Sequence, residues 1–164
     1  MNSSDNQNRV PLEIENAIKL CDSHLSVTKS RGSDIEAYLT KYLLILLCSS
    51  YEKRIRDIII ERVKRANDLD LVSFVDKIYR YSLRSLRISE MRGNLLNRFS
   101  ERYVAEFDRK IIPNDDAAIK YSNIVENRHA AAHGGTVNMT FGELVNSYKI
   151  AEAVINSLSE ILCP

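Results

Sequence analysis

The sequence predicts an all-α fold, a single-domain bundle of about five to six helices. Apolar residues recur every three to four positions over most of the 164 residues, which is the spacing that places them on one face of a helix. Only five Gly and three Pro interrupt this spacing, too few turn residues for a sandwich or barrel of many short strands. Hydrophobic residues make up 45% and charged residues 27% of the chain, which is typical of a globular domain.

The N-terminal end predicts a short tail and a first helix. Residues 1–10 are polar and are expected to be disordered, ahead of a helical domain over residues 11–164. Pro11 suits the first turn of a helix. We expect this helix to end before Gly32, which would take the left-handed cap.

The second predicted helix is the longest in the chain. Ser33 and Glu36 have the spacing of a capping box, and the apolar pattern that follows runs to about Asn67. At about 1.5 Å per residue this helix is roughly 50 Å long. Such a length predicts the central helix of a bundle.

Four further segments complete the prediction. A shorter helix covers about 71–81, and residues 82–90 are ambiguous. The next helix is expected over about Met91–Ile112. Asn114 or Asp115 then opens a helix that ends at His133, and Thr140 with Glu143 forms a second capping box for a last helix over about 141–162.

Charge and cysteine content narrow the class of protein. The net charge is only +1, but residues 53–110 hold 15 Lys and Arg against nine Asp and Glu. This basic block is either a path for an RNA backbone, with Arg92, Arg98 and Arg102 as candidate contacts, or a set of solvated helix faces. Three widely spaced cysteines and the absence of a signal peptide favour a cytoplasmic protein with reduced thiols. No apolar run approaches the ~20 residues that cross a bilayer, so no membrane partner is expected.

The stretch from Glu126 to Gly135 carries the candidate chemistry, and it is open to three interpretations. Histidines near a helix C-terminus stabilise the helix dipole, which is a purely structural role. His129 and His133 are four residues apart and share a helical face, as two zinc ligands do, with Glu126 one turn earlier. Arg128 and His133 combine a phosphate-binding cation with a proton-transfer group, the components of metal-free RNA cleavage.

The spacing of Arg128 and His133 raises a geometric difficulty. Five positions correspond to about 140° of rotation on a helix, so an intact helix does not make these two side chains face each other. They converge if the helix ends near Gly134, or if a second protomer brings its own pair alongside.

Two segments resemble a known family. Arg128-His129-Ala-Ala-Ala-His133 resembles the Rx4-6H motif of HEPN domains. The long-helix segment EAYLTKYLLILLCSSYEK, residues 36–53, resembles the RiboL-PSP branch of that superfamily, in which a Tyr-Leu run is followed by a Glu. The resemblance covers roughly residues 12–160.

The resemblance implies a helical homodimer in which two such motifs form one composite site. It implies metal-independent endoribonuclease activity without a cofactor, leaving a 2′,3′-cyclic phosphate and a 5′-hydroxyl. Arg128 would stabilise the scissile phosphate and His133 would act as general acid or base. Supporting roles fall to His129, Asn127 and Glu52, the last by orienting its neighbours.

The resemblance also implies a biological setting. Family members act as toxins of toxin–antitoxin modules, as effectors of phage defence and in RNA processing. RNA and an antitoxin or regulatory protein are therefore the expected partners. The alternative function is a catalytically silent HEPN-like module that binds RNA or protein, because a fold alone does not fix an activity.

Overall fold

The structure is a computed structural model that describes residues 12–83 and 87–164. The predicted tail over residues 1–10 and the predicted first-turn position of Pro11 lie outside these ranges. The described chain is helical and contains no strand, which confirms the all-α fold class.

Eight α-helices make up most of the described residues, and six of them have more than ten residues, in agreement with the predicted bundle. A π-helical turn over Met91–Leu96 joins the two shortest helices into one continuous segment, and a 3-10 turn over Ile112–Asn114 precedes the seventh helix. The helices are α1 (Leu12–Val27), α2 (Asp34–Lys64), α3 (Leu69–Ser82), α4 (Ile88–Glu90), α5 (Asn97–Phe99), α6 (Glu101–Ile111), α7 (Asp115–Ala132) and α8 (Phe141–Leu162).

Helices α2, α7 and α8 form the centre of the bundle, with α1 and α3 packed on α2 and α6 packed on α8. Three tyrosines connect the central helices. The hydroxyl of Tyr51 on α2 donates to the carbonyl oxygen of Tyr148 on α8 at 3.0 Å, and its ring stacks on Tyr121 of α7 with centroids 5.6 Å apart. Burial raises the pKa of both Tyr51 and Tyr121 well above the ordinary value. This stack fixes the register between α2 and α7.

The end of α1 differs from the prediction. The left-handed residue after α1 is Lys29, with φ of 53°, and the N–H of Ser30 donates to the carbonyl of Leu25 at 3.1 Å. This is the hydrogen bond of a Schellman cap. Gly32, with φ of 76°, therefore does not cap α1. It lies in the loop before α2, where its N–H donates to the Glu36 carboxylate at 2.5 Å.

The start of α2 uses the predicted residues in a different arrangement. Ser33 is the N-cap, but its hydroxyl accepts from the N–H of Ile35 instead of that of Glu36. The reciprocal box predicted for Ser33 and Glu36 is wrong in this detail. The helix ends at Lys64, three residues earlier than predicted, and its 31 residues span about 46 Å.

The helix predicted over Met91–Ile112 is interrupted. Ser100 adopts an extended backbone, with φ of 179° and ψ of 147°, and becomes the N-cap of α6 by accepting from the N–H of Arg102. A serine hydroxyl competes with the helical backbone for such N–H groups, which is the physical reason for the break. The last two helices agree with the prediction, and Thr140 and Glu143 form the expected capping box at α8. Asn114 is the N-cap of α7 but makes no side-chain cap bond.

Candidate active site

A cleft of about 510 Å³ lies at the C-terminal end of α7. Three separate parts of the chain form its walls, and we call it the Arg128 cleft. One residue comes from α2, two are the N-cap and the last residue of α4, and the others come from the last turns of α7 and its cap. These lining residues are Glu52, Arg87, Glu90, Val125, Arg128, His129, Ala132 and His133.

Arg128 lies on the face of α7 that packs into the core. Ala117, Tyr121 and Ile124 are buried at spacings of four and three residues, and Arg128 is the next member of this stripe because it follows Ile124 by four. Its side chain is only 19% exposed. A charge at such a position is costly unless a partner compensates it.

Glu52 supplies that partner. Its Oε1 lies 3.6 Å from Nη2 of Arg128, and its side chain is 21% exposed. The distance is that of an ion pair, longer than a normal hydrogen bond. Nε of Arg128 is buried and finds no hydrogen-bond partner within the described part of the chain. Because an unpaired buried donor costs about 1–3 kcal/mol, a ligand oxygen that binds this guanidinium would use a donor that the protein leaves unused.

His133 reaches the same cleft because α7 ends one residue earlier. It is the C-cap, with φ of −108° and ψ of 17°, and so departs from helical rotation. Gly134 follows in the left-handed conformation with φ of 73°, and the N–H of Gly135 donates to the Ala130 carbonyl at 2.8 Å, as in a Schellman cap. The end of the helix therefore brings both Arg128 and His133 to one cleft of a single chain.

His129 and His133 form a pair at the mouth of the cleft. Their ring centroids are 4.5 Å apart with the planes tilted by 59°, and both residues are exposed. The zinc interpretation requires at least three protein ligands. Within residues 12–83 and 87–164 no group of three His, Cys, Asp or Glu side chains is placed to hold a metal ion.

Asn127 lies on another side of α7. It lines a separate cleft of about 360 Å³ between α7, the loop after it and the start of α8. Its amide nitrogen donates to the Asn123 carbonyl at 2.8 Å, and its Oδ1 accepts from the N–H of Asn138 at 2.7 Å. The structure does not bring Asn127 to the Arg128 cleft. Its contacts hold the loop that follows His133.

The three arginines predicted to bind RNA do not line the Arg128 cleft. Arg92 forms an ion pair with Asp108 at 2.7 Å. Arg102 donates to the Tyr103 hydroxyl at 2.7 Å and packs over that ring at 4.6 Å. Arg98 lines a neighbouring cleft of about 250 Å³. Two of these three cations are therefore engaged within the protein.

Arg87 and Glu90 line the cleft although neither was predicted as a site residue, Arg87 being known only as one cation of the basic block over residues 53–110. They lie in the ambiguous region 82–90, where no apolar period indicates a helix. The N–H of Arg87 donates to the Glu90 carboxylate at 2.8 Å, and a carboxylate three residues into a helix commonly accepts such a bond. The spacing of Arg87 and Glu90, three residues apart, was the sequence signal that could have indicated the start of this helix.

Cys48 lies beneath the cleft, one helical turn before Glu52. It is 1% exposed, and burial raises its pKa to about 12, against a smaller lowering by the Arg128 charge. A thiol with this pKa is almost entirely protonated at neutral pH and is a poor nucleophile. Cys48 therefore acts as a packing residue under the charged pair.

The comparison with protein families gives one match. The RiboL-PSP-HEPN family model matches residues 11–164, which is nearly the whole chain. The comparisons with curated proteins and with solved structures give no match. None of the helices described in the structure has the length and hydropathy needed to cross a membrane.

Proposed function

The chain belongs to the RiboL-PSP-HEPN family, and we propose that it is a metal-independent endoribonuclease acting in the cytoplasm. One observation carries the proposal: Arg128 and His133, the two ends of the Rx4H motif, line the same cleft. An arginine recognises phosphate oxygens through its planar fork, and histidine exchanges protons near neutral pH. The cleft therefore combines the two groups that RNA cleavage through the 2′-hydroxyl requires.

The proposed reaction is a transesterification within the RNA. His133 takes the proton of the 2′-hydroxyl, and the oxygen attacks the adjacent phosphorus while the bond to the 5′-oxygen breaks. Arg128 stabilises the added negative charge on the phosphorane. The leaving 5′-oxygen receives a proton from an imidazolium. His129 lines the same cleft and supplies a second imidazole besides that of His133. The products are a 2′,3′-cyclic phosphate and a 5′-hydroxyl.

Glu52 is proposed as a positioning residue and not as a group that touches RNA. Its ion pair with Arg128 holds the guanidinium at the wall of the cleft. Partial neutralisation by one carboxylate leaves other donors of the guanidinium for phosphate oxygens, because arginine has five N–H groups.

The proposal includes a homodimer with the two clefts in one composite site. The exposed apolar stripe Ile35, Tyr38, Tyr42 and Ile45 on α2 supports it, because these residues repeat at spacings of three, four and three, as in helix–helix contacts. The stripe leads toward Glu52 on the same helix. We further propose that the dimer is a toxin or phage-defence effector controlled by an antitoxin or regulatory protein.

The test is a cleavage assay on total RNA in the presence of EDTA, comparing the wild type with H133A. H24A is the matched control, because His24 is an exposed histidine at the end of α1, outside the cleft. We expect cleavage by the wild type and H24A and loss of at least about 100-fold with H133A, since general acid–base groups contribute about 10²–10⁴-fold. The fragments should carry 2′,3′-cyclic phosphate ends.

Three results would contradict the proposal in different ways. Equal cleavage by H133A and H24A would exclude the histidine from the reaction. Loss of wild-type cleavage with EDTA would exclude the metal-independent mechanism. RNA binding without cleavage by a folded wild type would favour the silent module instead.

A further inference from the structure

The part of the Arg128 cleft that the α4 segment forms carries a cation that the proposed reaction does not use. Arg87 lines this part together with Glu90. The other described arginines of the run from residue 80 to 102 line no part of the cleft. Among the described residues of the basic block, Arg87 is therefore the one that the fold brings to the cleft of Arg128 and His133.

The backbone holds Arg87 in place although its side chain is exposed. Its N–H donates to Glu90 at 2.8 Å, and its carbonyl accepts from the N–H of Met91 at 2.9 Å. Met91 and Leu95, the residues that anchor the segment, are at most 1% exposed. The guanidinium thus extends from a fixed point of the wall.

The charge of Arg87 is not neutralised by a carboxylate in the described residues, in contrast to other arginines nearby. Arg128 pairs with Glu52, and Arg92 pairs with Asp108. Arg56 and Arg80 share Asp76, and these contacts lower the pKa of Asp76. Glu90 is the acidic residue nearest to Arg87 in sequence, and its carboxylate accepts the backbone N–H of Arg87.

We propose that Arg87 binds an RNA phosphate next to the scissile one and so fixes the path of the strand through the Arg128 cleft. The inference rests on the proposed ribonuclease function and adds a second anchoring cation to it. Two cations from different segments of the cleft lining would hold a single strand at two phosphates, which sets the position of the 2′-hydroxyl relative to His133. Glu90 also lines the neighbouring cleft of Tyr79 and Arg98, so the two clefts adjoin at a residue three positions after Arg87.

The role predicts a specific kinetic and salt signature. A residue that contacts a non-reacting phosphate contributes to binding and not to the chemical step, so its loss raises KM more than it lowers kcat. Each phosphate contact to a single strand contributes about 0.7 to the slope of log K against log salt. A merely structural residue would change neither the slope nor the balance between KM and kcat.

The experiment compares R87A and R87K with R109A in two assays. Arg109 is an exposed arginine on α6 that lies outside the cleft lining, and it is the matched control. Binding of a short random-sequence single-stranded RNA is measured by fluorescence anisotropy in the H133A background, between about 50 and 200 mM salt. Cleavage kinetics are measured with His133 intact, and thermal unfolding shows that each variant is folded.

We expect R87A to weaken binding about five- to tenfold at the lower salt concentration and to reduce the salt slope by about 0.7. KM should rise by a similar factor with kcat nearly unchanged, R87K should recover part of the affinity, and R109A should match the wild type. If the wild type cleaves RNA and R87A behaves like R109A, the role of Arg87 is refuted while the ribonuclease function stands. If the wild type neither binds nor cleaves RNA, both are refuted.

Discussion

At the scale of single residues, the pair of Arg128 and Glu52 is a candidate site because two charges occupy partly buried positions next to the core. Arg128 continues the buried stripe of α7 after Tyr121 and Ile124, and Glu52 follows the buried Tyr51 of α2. A structural core would place apolar side chains at both positions. The two charges therefore reduce the stability that packing would give there, and this cost is typical of a site retained for function.

The pairing predicts the effect of removing the Glu52 charge. In E52Q the guanidinium of Arg128 loses its fixed partner, and we expect kcat for RNA cleavage to fall about 10- to 100-fold, since small misplacements of reacting groups have effects of this size. The unfolding free energy should fall by about 1–3 kcal/mol, because the guanidinium is only 19% exposed and loses the charge that compensates it. Steady-state kinetics and chemical denaturation measure the two quantities.

The matched control for this prediction is E61Q. Glu61 lies on the same helix and pairs with Lys64 at 3.7 Å, a similar distance, but on an exposed surface. E61Q should leave kcat for RNA cleavage unchanged. Equal activity of E52Q and the wild type would remove Glu52 from the positioning of Arg128.

Some of the residues that the sequence singled out line the cleft and others do not, and their distance from the motif along the chain does not separate the two groups. The sequence predicted Arg128, His133 and Glu52 as candidates from the motif and the long-helix resemblance, and all three line one cleft. Asn127 is adjacent to Arg128 in sequence but lies about 100° away around the helix, so proximity along the chain was misleading. Arg87 became visible only through tertiary contacts with a segment 40 residues away.

At the scale of elements, the end of α7 decides where His133 lies. Gly134 has φ of 73°, and a Cβ there would meet no atom within 4 Å. A substitution at this position is therefore opposed by backbone strain alone and not by a clash. The left-handed turn follows the C-cap His133, and the helix ends at Ala132, so His133 departs from helical rotation and lines the cleft with Arg128.

The left-handed turn predicts that substitution by alanine has opposite effects on stability at Gly134 and at Gly142. We expect G134A to lower the unfolding free energy by about 1–2 kcal/mol because a left-handed alanine is strained, and to reduce cleavage by displacing His133. G142A is the control, since Gly142 lies in the first turn of α8 with no neighbour within 4 Å of an added Cβ. It should be neutral or slightly stabilising, because alanine favours a helix over glycine. Chemical denaturation and the RNA cleavage assay are applied to both variants. Equal cleavage by G134A and G142A would contradict the proposed role of the turn.

The same scale shows why helix ends were harder to predict than helices. The sequence predicts Gly32 as the cap of α1 because glycine is the usual left-handed residue, yet Lys29 takes that conformation. Ser100 interrupts a segment whose apolar pattern continues on both sides of it. The spacing of apolar residues indicates which face of a helix is buried. The residue at which a helix breaks depends instead on local competition for a few backbone hydrogen bonds.

At the scale of the whole molecule, four apolar residues of α2 form an exposed stripe and do not join the core. Ile35 and Tyr42 belong to the apolar pattern of the long helix, but they are exposed, together with Tyr38 and Ile45. Tyr38 is 70% and Tyr42 is 54% exposed. The sequence does not distinguish residues that are buried within one chain from residues that a second chain would cover. The same spacing of apolar residues therefore occurs in the core face of α2 and in this stripe.

The stripe predicts the interface of the proposed homodimer. Replacing Tyr42 by Glu places a charge in the centre of the stripe, and burying an unpaired charge is strongly unfavourable. We expect Y42E to be a folded monomer by analytical ultracentrifugation, because the side chain contributes to no part of the buried core. F74E is the control, since Phe74 is an exposed aromatic residue on α3, and it should remain a dimer.

The activity of the monomer then decides how the site is assembled. If Arg128 and His133 of two protomers form one composite site, Y42E should lose RNA cleavage together with dimerisation, while F74E keeps both. The single chain already places Arg128, His129, His133 and Glu52 around one cleft, so the opposite result has a clear meaning. A monomeric Y42E that cleaves at the wild-type rate would refute the composite site and assign the whole reaction to one protomer. If F74E were a monomer and Y42E a dimer, the interface would lie on α3 instead of α2.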